Sequence, residues 1–170
     1  LHFEVSLNLS AGSTDGGDNV YTACAVPGNG PGSGPRQGLY NKAELDTNGD
    51  GTPELTDDAC GDLPGITLAK DLVSVAPAAN GRYTVTYTVT VKNTGGASGQ
   101  YTLKDTPLFD DDVTIHSGSY SGQASGQMNV SGSTTLATNA TIADGATHTF
   151  TVRFEVSLNL SAGSTDGGDN

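Results

Sequence analysis

The sequence is poor in several residue types, and each scarcity narrows the classes of protein it can belong to. It has no Trp, one Met and only two Cys, and its 7 Lys and Arg stand against 19 Asp and Glu. The resulting net charge of −12 argues against nucleic acid or an anionic membrane as a partner. No apolar run is long enough to span a bilayer. The acidity instead suits divalent cations and keeps a repetitive chain soluble.

An identical run of residues occupies the two ends of the sequence. Residues 3–19 and residues 154–170 both read FEVSLNLSAGSTDGGDN, an offset of 151 residues (154 − 3 = 151). The match stops upstream, where Leu1 and His2 stand in place of Val152 and Arg153. We therefore expect neighbouring, slightly different copies of one unit, with the chain holding one repeat plus an overlap.

Alternation of apolar and polar residues is the main secondary-structure signal. Residues 82–92 read RYTVTYTVTVK and residues 148–160 read HTFTVRFEVSLNL, and this period of two marks half-buried β-strands. No amphipathic helix pattern is found. Many short strands with Gly, Asn and Asp turns predict an all-β chain that folds as a β-sandwich. Weaker strand patterns span residues 39–45, 66–75, 100–105, 113–117 and 134–142.

The segment ELDTNGDGTPELTDDAC has the spacing of a calcium-binding loop. Counted from its first Asp, oxygen-bearing residues fall at positions one, three, five, seven, nine and twelve, with Gly51 at the tight turn. Ca²⁺ takes about six to eight oxygen ligands, which such a loop can wrap around one ion. The match is to the loop only, and a solvated Asp/Asn/Gly turn is the alternative. The predicted ligands are Asp46, Asn48, Asp50, Thr52 through its carbonyl, Glu54 and Asp57.

The two cysteines, Cys24 and Cys60, flank this loop and a Gly-rich stretch, GNGPGSGPRQG. An even number of cysteines in an exported chain indicates a disulfide. The alternative is a pair of reduced thiols in a cytosolic protein. A zinc site would need two further ligands, and no His lies near either Cys in the sequence.

Three runs in this sequence resemble a known surface module. ITLAKDL, YTVTYTVTVKNTGGASGQYTLKDT and GATHTFTVRFEV are similar to the DUF11-type immunoglobulin-like repeat of bacterial and archaeal cell-surface proteins. The resemblance implies sandwiches strung along an extracellular or cell-surface protein. Together with the end repeat, it divides the chain into the last strand and linker of a preceding copy (1–19), a connecting segment with the disulfide, a strand and the calcium loop (20–65), the sandwich (66–160) and the next junction (161–170).

The resemblance also implies that a strand like residues 39–45 closes each sandwich and comes from the next copy. Residues 66–160 would then end as an incomplete sandwich whose open edge recruits a strand, from the same polypeptide or from a neighbouring molecule. Some surface sandwiches also join a Lys to an Asn, with a buried acid assisting. Lys70, Asp105 and Asn41 are the candidates here, and an ordinary Lys70–Asp105 salt bridge is the alternative.

No catalytic constellation stands out, so we expect no enzyme. His2, His116 and His148 lie far apart, and no residue pair has a convincing nucleophile–base spacing. The sequence favours a structural subunit of an extracellular filament, sheath or surface fibre that assembles with copies of itself and uses calcium. The alternative is a spacer repeat of a giant adhesin. A carbohydrate-binding module is disfavoured because the chain has no Trp for an aromatic platform.

Overall fold

The computed structural model describes residues 2, 4–5, 25–26, 30–31 and 39–159. The described residues form antiparallel β-sheets and contain no α-helix, which confirms the prediction of an all-β chain. In this part of the chain, no helix is long and apolar enough to cross a membrane. Most of the two repeated ends (residues 3, 6–19 and 160–170) and most of the Gly-rich stretch lie outside the described residues, so the predictions made for them stay predictions.

The chain divides into two compact units. The first unit comprises Leu1–Pro64 with Gly95–Ala97, and the second comprises Gly65–Thr94 with Ser98–Asn170. The predicted limits of the connecting segment and the sandwich are not tested by this division, and each unit is described by itself below.

Two short antiparallel hairpins make up the described strands of the first unit. Strands β1 (Ala25–Val26) and β2 (Gly30–Pro31) pair with each other, as do β3 (Asn41–Leu45) and β4 (Leu55–Ala59). The sequence predicted β3 but not β4, because its two adjacent Asp residues and its place inside the predicted calcium loop hid the strand. The loop between β3 and β4 closes with a hydrogen bond from the Glu54 N–H to the Leu45 carbonyl, at 3.1 Å.

Two sheets face each other in the second unit. The larger has the strand order β5-β6-β11-β8-β9, and the smaller has only β7 and β10. Between β5 and β6 the chain reverses at Asn80 and Gly81, whose φ angles of 59° and 71° suit an Asn-Gly turn. The strands are β5 (Ile66–Pro77), β6 (Tyr83–Asn93), β7 (Gly99–Asp105), β8 (Val113–Gly122), β9 (Gly126–Gln127), β10 (Thr134–Ile142) and β11 (Thr147–Leu158).

The apolar core lies between these two sheets, an arrangement consistent with a β-sandwich. Central strands β6 and β11 supply most of it, and the side chains they bury in the core are the apolar members of the alternation that the sequence shows. Phe150 and Phe154 are almost fully buried, and each contributes about 1.5–3 kcal/mol by leaving water. The buried apolar residues are Val85, Val89, Val91, Leu103, Met128, Leu136, Ile142, Phe150, Val152, Phe154 and Val156.

Asn93, at the end of β6, is the one fully buried polar side chain among the described residues. Its Oδ1 accepts a hydrogen bond from the Gly65 N–H at 3.0 Å, and its Nδ2 donates to the Ala143 carbonyl at 3.1 Å. A buried amide needs such partners to offset its loss of water. The side chain thereby fixes the start of β5 relative to the end of β10.

Candidate functional site

Three carboxylates gather in the loop between β3 and β4. Ligand oxygens of Asp46, Asp50 and Glu54 all lie within 4.8 Å of one another. Two glycines make the tight course of the loop possible, since Gly49 and Gly51 have φ angles of 80° and 87° that other residues rarely adopt. The sequence predicted the turn at Gly51 and all three of these acidic residues.

Backbone N–H groups hold two of these carboxylates in their charged form. Asp46 accepts hydrogen bonds from the N–H groups of Gly49 at 2.6 Å and Gly51 at 2.8 Å, which lower the pKa of its carboxyl. The Thr47 N–H donates to Glu54 at 2.7 Å and likewise lowers the pKa of that carboxyl. Asp50 and Glu54 are exposed and Asp46 is half-buried, so a cation in solvent can reach the cluster.

The other predicted ligands differ in whether they lie near this cluster. Asn48 donates from Nδ2 to Glu54 at 2.6 Å and lies beside the three carboxylates. Asp57, by contrast, lies within β4 opposite Ala43 and is not part of the group. The donors that do gather are all carboxylate oxygens, which fit a hard cation such as Ca²⁺ better than a soft one. Calcium, with Thr52 and Asp57 among its ligands, remains a prediction.

Only one of the two cysteines of the predicted disulfide lies within the described residues. Cys60 directly follows β4 and is half-buried. Cys24 lies outside the described residues, so its pairing with Cys60 stays a prediction.

A salt bridge joins the two sheets of the second unit. The Lys70 Nζ on β5 lies 2.6 Å from the Asp105 Oδ2 at the end of β7, and 4.8 Å from the centre of the Tyr87 ring. Asp105 is buried, and among the described residues its Oδ1 has no hydrogen-bond partner. The pair is therefore in place for the salt bridge. Asn41 belongs to β3 in the other unit, so a covalent Lys70–Asn41 link stays a prediction.

An open apolar groove lies at one end of the larger sheet. Its volume is about 390 Å³, and β5 and β6 form one wall with Leu72, Val75 and Tyr83. Phe109, after β7, also lines the groove, and the centre of its ring lies 5.3 Å from that of Phe154. Phe109 was not among the residues predicted from the sequence, although an apolar Leu-Phe pair beside three Asp residues is a signal that could indicate such a lining residue.

The fold brings two histidines to partners that the sequence spacing did not reveal, one across the paired strands β8 and β11 and the other between the two sheets. The His116 Nε2 lies 2.8 Å from the Ser157 Oγ, and the Tyr101 hydroxyl lies 2.8 Å from the His148 Nδ1. The first pair is exposed on the sheet surface, and burial raises the pKa of the Tyr101 phenol. Neither contact tests the expectation that the chain is not an enzyme, which stays a prediction.

Comparison with known proteins adds no relative from which a function could be transferred. No protein-family model, no curated protein and no solved structure matches this chain. The resemblance to the DUF11-type repeat therefore remains a prediction from sequence motifs. A function has to be argued from the repeat and from the geometry of the two units.

Proposed function

We propose that this chain is a structural subunit of an extracellular filament, sheath or surface fibre. In this proposal, tandem immunoglobulin-like repeats assemble by sharing strands, and calcium and a disulfide stiffen their junctions. The proposal extends the all-β fold with the identical runs at residues 3–19 and 154–170, which indicate that units of this kind occur as neighbours.

The observation that supports strand sharing most is the exposure of β5. All its residues but the first are exposed over a strand of 12 residues, although its partner β6 is part of the core. The smaller sheet has two described strands against five in the larger one, too few to cover β5. An exposed apolar strand face of this length makes a monomer prone to aggregation. In a protein that assembles, the same face can be buried against a neighbouring copy.

The acidic loop supports the second half of the proposal. Asp46, Asp50 and Glu54 lie close together, and backbone hydrogen bonds lower the pKa of Asp46 and of Glu54, so repulsion among the carboxylates costs stability unless a cation neutralises it. With a net charge of −12, copies of the chain repel one another as well. A divalent cation in the loop would offset both effects and would rigidify the β3–β4 hairpin, which stands next to Cys60.

The alternative function is a spacer repeat in a giant cell-surface adhesin, whose binding domain lies elsewhere. The two functions differ in whether the isolated chain polymerises. We expect size-exclusion chromatography of a concentration series in calcium to show growing oligomers of the 170-residue chain. A monomer at every concentration would contradict the filament and favour the spacer.

A further inference from the structure

The smaller sheet of the second unit has an unused edge. Strand β7 pairs with β10 from Asp105 opposite Thr134 to Gly99 opposite Ile142. Among the described residues, no strand pairs with the other side of β7. An unpaired edge presents a row of free N–H and C=O groups that can accept another strand.

Beside this edge lies an uncovered apolar face. Leu68, Leu72 and Val75 of β5 are 65%, 60% and 56% exposed. They stand opposite core-facing residues of β6, with Leu72 paired to Tyr87 and Val75 to Val85. Directly opposite residues of an antiparallel pair share a face of the sheet. The three β5 side chains therefore point to the core side, where the smaller sheet does not reach them.

The β3–β4 hairpin carries a face of matching character. Leu45 lies opposite Leu55, and the two are 53% and 61% exposed. Ala43 and Asp57 form the next pair on the same face, while the charged Lys42 and Glu44 alternate onto the other face. A two-stranded hairpin on its own is marginally stable in water, so this face needs a cover.

We propose that the β3–β4 hairpin of a second copy docks on the second unit, with β3 pairing along the free edge of β7. This inference rests on the proposed function and names the shared element and its acceptor. Two added strands extend the smaller sheet by about 10 Å, enough to reach over the uncovered face of β5. Leu45 and Leu55 then cover Leu72 and Val75.

Charge and hydrogen bonding favour this occupant over an arbitrary apolar segment. Lys70 shares the uncovered face of β5 and is the cation there, and the hairpin brings the anionic Asp57 on its apolar face. The buried Asp105 Oδ1 lacks a hydrogen-bond donor and lies at the end of β7, where backbone N–H groups of an incoming strand arrive. The outer edge of β5 is a poorer acceptor, because a register shift between Leu72 and Ser74 interrupts it.

The test uses the full chain both as acceptor and as probe. The acceptor carries Leu45→Asp and Leu55→Asp, so that its own hairpin cannot compete. The probe is a fluorescently labelled full chain with Leu72→Asp, which keeps the β3–β4 hairpin and lacks the acceptor face; the acceptor is titrated into it in calcium, and binding is followed by anisotropy. We expect saturable binding that Leu72→Asp in the acceptor weakens by about tenfold or more, because docking would then bury an unpaired charge. The matched control is Ala69→Asp, on the other face of β5.

The outcomes separate this inference from the proposed function. Loss of binding with Leu72→Asp in the acceptor and with a probe that also carries Leu45→Asp and Leu55→Asp, but not with Ala69→Asp in the acceptor, supports hairpin docking even if the wild-type chain never polymerises. Binding that is absent, or equal for all acceptors and probes, overturns the docking. Filaments that still form in that case would support the proposed function through another interface. Circular dichroism of each acceptor excludes unfolding as the cause.

Discussion

Lys70 and Asp105 connect the two sheets of the second unit through a 2.6 Å contact between Nζ and Oδ2. The Asp105 side chain is 6% exposed and the Lys70 side chain is 39% exposed, so the two partners do not share the same environment. The contact holds the uncovered strand β5 to the end of β7. The contact thereby fixes the position of the exposed face of β5 relative to β7 before a partner strand binds.

Removing the cation should destabilise the second unit. Lys70→Ala leaves the Asp105 carboxylate buried without a partner, and we expect a loss of about 1–3 kcal/mol in the free energy of unfolding. Denaturant unfolding measures this loss. The matched control is Lys104→Ala on the exposed face of β7, which should change stability by less than about 0.5 kcal/mol. Equal effects of the two substitutions would show that the contact contributes nothing.

Gly118 of β8 should not tolerate a side chain. A Cβ at this position would lie 2.7 Å from the Phe154 Cδ1 and 2.7 Å from the Met128 Cβ. Gly118→Ala should therefore lower the free energy of unfolding by about 1–3 kcal/mol through overpacking, although alanine normally stabilises a strand relative to glycine. Thermal unfolding of this variant beside the exposed Ser117→Ala measures the effect. An unchanged or raised melting temperature for Gly118→Ala would contradict the prediction and would mean that Phe154 and Met128 shift to accommodate the methyl group at little cost.

Calcium binding by the loop is testable residue by residue. Asp46→Asn should weaken Ca²⁺ binding by about tenfold or more in calorimetric titration, because it removes one of three gathered carboxylates. Asp58→Asn, on the other face of β4, is the control and should bind as the wild type does.

The effect of Asp57→Asn distinguishes the ligand set predicted by spacing from the one that the geometry gathers. Spacing makes Asp57 the last ligand, whereas the gathered group consists of Asp46, Asp50 and Glu54. Weakened binding with Asp57→Asn favours the first set, and unchanged binding favours the second. A wild-type chain that binds no calcium would contradict both and leave a solvated turn.

The strands of the second unit could be predicted because their signal is local. In β6, Val85, Val89 and Val91 alternate with threonines, and a half-buried strand needs nothing else to be recognised. Strand β4 could not be predicted, since Leu55 and Ala59 bracket two aspartates and the strand exists only because the loop folds it back onto β3. Lys70 and Asp105 were also predicted as a pair from the sequence. Their contact could not be established from the sequence, because it depends on how the two sheets face each other.

The alternation of apolar and polar residues could not predict that β5 is exposed. Leu68 and Leu72 have the periodicity of a buried strand, and the sequence alone does not say whether another strand covers them. Only the resemblance to a repeat that borrows its closing strand suggested an open face. Phe109 was missed for the related reason that it lies between strands, where no periodicity marks it as apolar lining.

The most direct test of assembly by strand sharing is electron microscopy of the purified full chain, first in calcium, then after excess chelator, and then with calcium restored. We predict filaments that form or stiffen in calcium, loosen in chelator and recover when calcium returns. A monomer that is indifferent to calcium throughout would contradict the proposal and leave the adhesin spacer as the better explanation of the chain.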